Sequence, residues 1–120
     1  MQVADEKNFT TLLKNGIVFV DWWAPWCAPC RVFGPVFDRV AEQNPEAVFA
    51  KVNADEHPDL AMSFGIQSIP TLMIFRDGIL VYVQAGAMSE ETLSVLASRV
   101  KELDMDVVRS MIAQHESRPN

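Results

Sequence analysis

The sequence predicts an α/β domain built on a mixed sheet with helices on both faces, and three observations point to it. Strand-like and helix-like stretches alternate along the chain, with no repeats, low-complexity tracts or obvious linker. The stretch Ile17–Trp23 is apolar at every position but Asp21, as expected of a central strand covered on both sides. Two further apolar runs flank Asp77-Gly78, which marks a hairpin after the earlier parallel connections.

Length and charge narrow the class further. At 120 residues there is room for one domain with a single core. An apolar fraction of 49% and a charged fraction of 22% are those of an ordinary soluble globular protein. A net charge of −6 argues against nucleic acid or an anionic membrane surface as a partner. No run approaches the ~18 consecutive apolar residues of a spanning helix. The start, Met1-Gln2-Val3-Ala4-Asp5-Glu6, lacks the basic and apolar regions of a secretory signal, so a cytoplasmic address is expected.

The elements follow in order. A few residues can form a short edge strand. A helix over 6–14 then carries Phe9, Leu12 and Leu13 on its apolar side, and Asn15-Gly16 stops it. After the Ile17–Trp23 strand comes a helix over about 27–43, with Val32, Phe33, Val36, Phe37, Val40 and Ala41 as its buried face. Pro35 inside it removes a backbone hydrogen bond and clashes with the Arg31 carbonyl, so a kink is expected one turn after the cysteines, eased by Gly34. Val48–Asn53 is a second long strand. Asp55-Glu56-His57-Pro58 opens a short helix that Gly65 closes, and Thr71–Arg76 and Ile79–Ala85 form the hairpin. Ser89 caps a helix whose stripe is Leu93, Leu96, Ala97, Val100 and Leu103. A last helix over 104–114 places Met105, Val108, Met111 and Ile112 on one side. That stripe either folds back on the domain or faces a partner, since an apolar face calls for cover.

The chemistry gathers at Trp26-Cys27-Ala28-Pro29-Cys30, which holds the only two cysteines. Residues three apart share a helical face, so the two sulfurs can meet with little backbone movement. Cys27 falls where the helix starts, beside unpaired amide N–H groups and the positive end of the helix dipole. Both favour the thiolate, which is the nucleophile. Pro29 suits the first helical turn, where its missing N–H costs nothing. A four-residue loop gains little closure entropy, so a purely stabilising bridge is unattractive. Zinc needs two further ligands, and His57 and His115 lie far outside finger-like spacing, so no metal is expected. Strand, turn, Cys-x-x-Cys and helix together read as a redox motif.

Three residues outside the motif also stand out. Asp21 is a carboxylate in an apolar strand, where burial raises the pKa toward neutrality; it either exchanges protons or simply finds a hydrogen bond at the strand end. Lys51 either tempers Asp21 by its charge or extends to solvent. Pro70 follows Ile69 just before a strand, where an X-Pro bond can be cis or trans.

In order and spacing, Val20-Asp21, Trp26-Cys27, Cys30, Pro35, Lys51, Ile69-Pro70-Thr71, Asp77-Gly78 and Gly86 make the sequence resemble the thioredoxin family across roughly residues 8–103. The resemblance implies the thioredoxin fold, with a central four- or five-stranded mixed sheet, over residues 1–103, and a helical extension over 104–120. It implies a protein dithiol–disulfide oxidoreductase. Cys27 would attack a disulfide in a client protein, and Cys30 would resolve the mixed disulfide. Asp21, behind Cys30 and paired with Lys51, would help deprotonate the resolving thiol. Pro70 would be a cis-proline facing the disulfide, and the backbone of Ile69 would pair with an extended client segment. Trp26, Ile69, Gly86 and Ala87 would form the docking surface. No bound cofactor is implied: electrons would come from NADPH through thioredoxin reductase. Ala28 stands where the family usually has glycine, and with Pro29 it would tune the redox potential. An oxidase or isomerase, or a docking subunit of the same fold, are the alternatives. Some bacterial members carry a similar tail.

Overall fold

The computed structural model describes residues 2–5, 7–14 and 16–117. The elements are β1 (Gln2–Val3), α1 (Phe9–Leu13), β2 (Ile17–Trp23), α2 (Ala28–Gln43), β3 (Val48–Asn53), α3 (Pro58–Ser63), β4 (Thr71–Arg76), β5 (Ile79–Ala85), α4 (Glu90–Lys101) and α5 (Met105–Ser117). The strands form one sheet in the order β1-β3-β2-β4-β5. β3 runs parallel to β1 and β2, while β4 is antiparallel to β2 and β5. The mixed sheet therefore has five strands.

The pleat of β2 divides the core. Val18, Val20 and Trp22 point into a cluster closed by Phe9 and Leu13 of α1 and Ala61 of α3. Phe19 points the other way, into a cluster closed by Phe33, Phe37 and Val40 of α2 and Leu93, Ala97 and Val100 of α4. Asp21 shares the Phe19 side by the same alternation, which directs it toward α2. Helices thus cover both faces, and β2 lies at the centre, where the unbroken apolar run placed it.

The helices are bounded by local chemistry. Cys27 is the N-cap of α2, and the helix continues unbroken through Pro35. Ser89 caps α4 by accepting the Thr92 N–H at 3.1 Å. At the far end of α4, Arg76 from β4 donates to the carbonyls of Val100 and Leu103 at 2.7 and 3.1 Å. Gly65, at φ +70°, ends the α3 segment.

Two expectations change. The first helix was expected over 6–14, but the observed α1 begins at Phe9. Asp5 Oδ1 accepts the N–H groups of Lys7 and Asn8, and Asn8 Oδ1 accepts that of Asp5, so a side-chain turn occupies the first positions. Glu6 and the expected stop at Asn15 lie outside the described residues. The last helix packs most closely at its start, and Arg109 reaches Asp77 at 3.5 Å. Met105 is buried and Val108 half-buried, whereas Met111 and Ile112 are 63% and 37% exposed.

Candidate active site

The turn between β2 and α2 sets the cysteines. The Cys27 N–H donates to the Ala24 carbonyl, and the Arg31 guanidinium reaches back to the Pro25 carbonyl at 3.0 Å. Cys27 and Cys30 form a disulfide, with their Cα atoms 5.2 Å apart. The Cys30 N–H donates to Cys27 Sγ at 3.2 Å, so an unpaired amide of the first helical turn is spent on the sulfur that needs negative charge. Ala28 and Pro29, both exposed, make up the turn between the cysteines.

The two sulfurs face different depressions. Cys27 opens onto a groove of about 500 Å³ lined by Trp26, Ala54, Asp55, Ile66 and Ile69, among others. Cys30 borders a smaller cleft of about 200 Å³, together with Asp21, Arg31, Asp38 and Lys51.

On the groove side, Trp26 is 67% exposed, yet its indole is held: Nε1 donates to Asp55 Oδ2 at 2.8 Å. Ile69 packs against the cysteines, and its carbonyl oxygen lies 3.6 Å from Cys27 Sγ. The Ile69–Pro70 peptide bond is cis. Gly86, at φ +95°, donates its N–H to the Pro70 carbonyl at 2.8 Å, and Ala87 beyond it is exposed. Trp22 is fully buried and Trp23 half-buried, so both belong to the framework.

On the cleft side, Asp21 is 1% exposed, and its Oδ1 has no hydrogen-bond partner among the described residues. Burial pushes its carboxyl from 3.8 up to about 7; the Lys51 charge opposes the rise, and the Asp38 charge adds to it. Asp21 and Lys51 are ladder partners across β2 and β3. The Lys51 ammonium nevertheless binds Asp38, with Nζ 2.9 Å from Oδ1. The sequence reading missed Asp38 and placed Asp55 only in the segment that opens a short helix; neither residue's spacing to Lys51 or Trp26 signals the contact.

Comparison with known proteins agrees with this geometry. The thioredoxin family model matches residues 1–102. The chain belongs to the thioredoxin family. A curated relative, putative thioredoxin 2 of Streptomyces coelicolor, is 45% identical over 114 residues, which cover 94% of this chain and 85% of the relative. A match of that length takes in most of α5. Thioredoxin 1 of Synechococcus elongatus is 53% identical over 94 residues, covering 77% of this chain and 88% of that protein. Among solved structures, a mutant thioredoxin from Halobacterium salinarum superposes with a TM-score of 0.79 at 32% identity, over 86% of this chain and 92% of that one. Fasciola hepatica thioredoxin gives 0.76 at 32%, over 82% and 98%. As a thioredoxin, the protein is a dithiol–disulfide oxidoreductase that works through the Cys27–Cys30 pair. The family implies disulfide-containing substrates and a reductase as partners, and thioredoxins need no bound cofactor. Among the described residues no helix is long and apolar enough to cross a membrane.

Proposed function

We propose that this thioredoxin works in the reducing direction in the cytoplasm, carrying electrons from NADPH, by way of thioredoxin reductase, to disulfides in client proteins. One observation carries the reading: Cys27 opens onto the groove lined by Trp26 and Ile69, while Cys30 borders the cleft that holds a carboxylate poised near neutrality. The Cys27 thiolate, stabilised by the Cys30 N–H and the helix dipole, attacks one sulfur of a client disulfide. The client bond breaks, and its other sulfur leaves as a thiolate that takes up a proton. Asp21, directly or through water, takes the proton of Cys30, whose thiolate then attacks Cys27 Sγ and expels the client's second thiolate. Two electrons pass to the client, and the pair is left as the disulfide seen here.

The groove supplies docking. Trp26 and Ile69 offer apolar surface, the cis Ile69–Pro70 bond presents the Ile69 backbone for strand-like pairing, and Gly86 and Ala87 flank it. Lys51 moderates Asp21, and Ala28 and Pro29 tune the potential of the pair. Residues 1–103 form the catalytic domain, and 104–120 its extension.

Replacing the resolving cysteine tests this order of events. Cys30→Ser should accumulate a mixed disulfide through Cys27 with a protein disulfide such as insulin, and Cys27→Ser should accumulate none. Adducts through Cys30, or none with Cys30→Ser, would reverse or abolish the assigned roles.

A further inference from the structure

The cleft behind Cys30 contains two carboxylates and one available ammonium. Its charged and titratable groups are Asp21 from β2, Cys30, Arg31 and Asp38 from α2, and Lys51 from β3. On the opposite side of Asp21, β4 places Leu72, which does not titrate. Arg31 is committed to the Pro25 carbonyl. Among the described residues that line the cleft, Lys51 is the cation that pairs with a carboxylate there. Its ammonium passes Gly34, where an added Cβ would stand 3.6 Å from Nζ, and binds Asp38 one helical turn further along α2. Meanwhile Asp21 Oδ1 keeps no hydrogen-bond partner among the described residues.

We infer that Asp38 is a positioning residue: by holding the Lys51 ammonium at the mouth of the cleft, it withholds that cation from Asp21 and so sets how readily Asp21 takes up a proton. Asp38 acts through Lys51. Without it, the ammonium is free to turn inward along the Asp21–Lys51 ladder pair and bond the unpaired oxygen. Loss of the Asp38 charge acts in the same direction, because a like charge nearby favours the protonated form. Both effects make Asp21 a weaker base near neutrality. The inference rests on the proposed role of Asp21 only for its catalytic consequence.

The test is an NMR titration of the Asp21 carboxyl in the disulfide form, where no thiol titrates, for the wild type, Asp38→Ala, Asp38→Glu, Lys51→Met and the double variant Asp38→Ala/Lys51→Met. Asp38→Ala should lower the Asp21 midpoint by about one pH unit, Asp38→Glu should restore it, and most of the fall should vanish in the Lys51→Met background. In the dithiol form, the pH dependence of insulin reduction should move by the same amount. An unchanged midpoint in Asp38→Ala, or an equal fall with and without Lys51, would overturn the inference. Failure of the Asp21 role itself would show separately, as an Asp21→Asn variant that reduces insulin at the wild-type rate, and would leave the titration result readable.

Discussion

Replacing Asp21 by Asn should make the protein more stable, and by an amount that grows with pH. The carboxyl is 1% exposed and burial raises it from 3.8 to about 7. Below 3.8 both the folded and the unfolded chain carry the proton, and nothing is lost. As pH rises past that value the unfolded chain ionises while the folded one resists, so wild-type stability falls until the folded carboxyl also ionises near 7. At 1.36 kcal/mol per pH unit, the full penalty is about 4 kcal/mol. About 1.5 kcal/mol of it is present near pH 5, so the advantage of Asp21→Asn should grow by about 2.5 kcal/mol between pH 5 and pH 9. Urea denaturation of the disulfide forms of both proteins across that range measures the difference, and every other titrating group common to both cancels. The constant part of the gap absorbs the amide's own imperfect hydrogen bonding. A gap that changed by less than about 0.5 kcal/mol would refute the argument that Asp21 is a strained, proton-holding group.

Two further outcomes test the groove. Gly86→Ala should destabilise the protein by about 1–2 kcal/mol in urea, because φ +95° is costly for any side chain although the space around it is open. Asp55→Ala releases the Trp26 indole, so it should raise KM for insulin while kcat stays nearly unchanged, and it should lower stability in urea by up to about 1.5 kcal/mol, the worth of a hydrogen bond to a charged acceptor.

Much of this was legible in the sequence. The run Ile17–Trp23 announced a strand buried on both faces, and β2 lies between β3 and β4 with Val18 through Trp22 buried. The spacing of Cys27 and Cys30 at a helix start announced their bond, and Asp21 stood out because a charge in an apolar strand is costly. Other features depend on tertiary packing that no spacing reports. Asp38 looks like an ordinary solvated helix residue, and only the packing of α2 across the end of β3 brings it to Lys51. Asp55 likewise meets Trp26 from a different loop. The apolar stripe of α5 marked a face to be covered, but not that cover would end after Met105 and Val108. Side-chain turns also override periodicity, as Asp5 and Asn8 do in delaying α1.

The direction of electron flow is the central claim, and the equilibrium reduction potential of the Cys27–Cys30 pair, titrated against dithiothreitol, tests it most directly. A value close to the thioredoxin family's own level of about −270 mV is the predicted result. A potential between about −180 and −120 mV, where isomerases and strong oxidants lie, would contradict it.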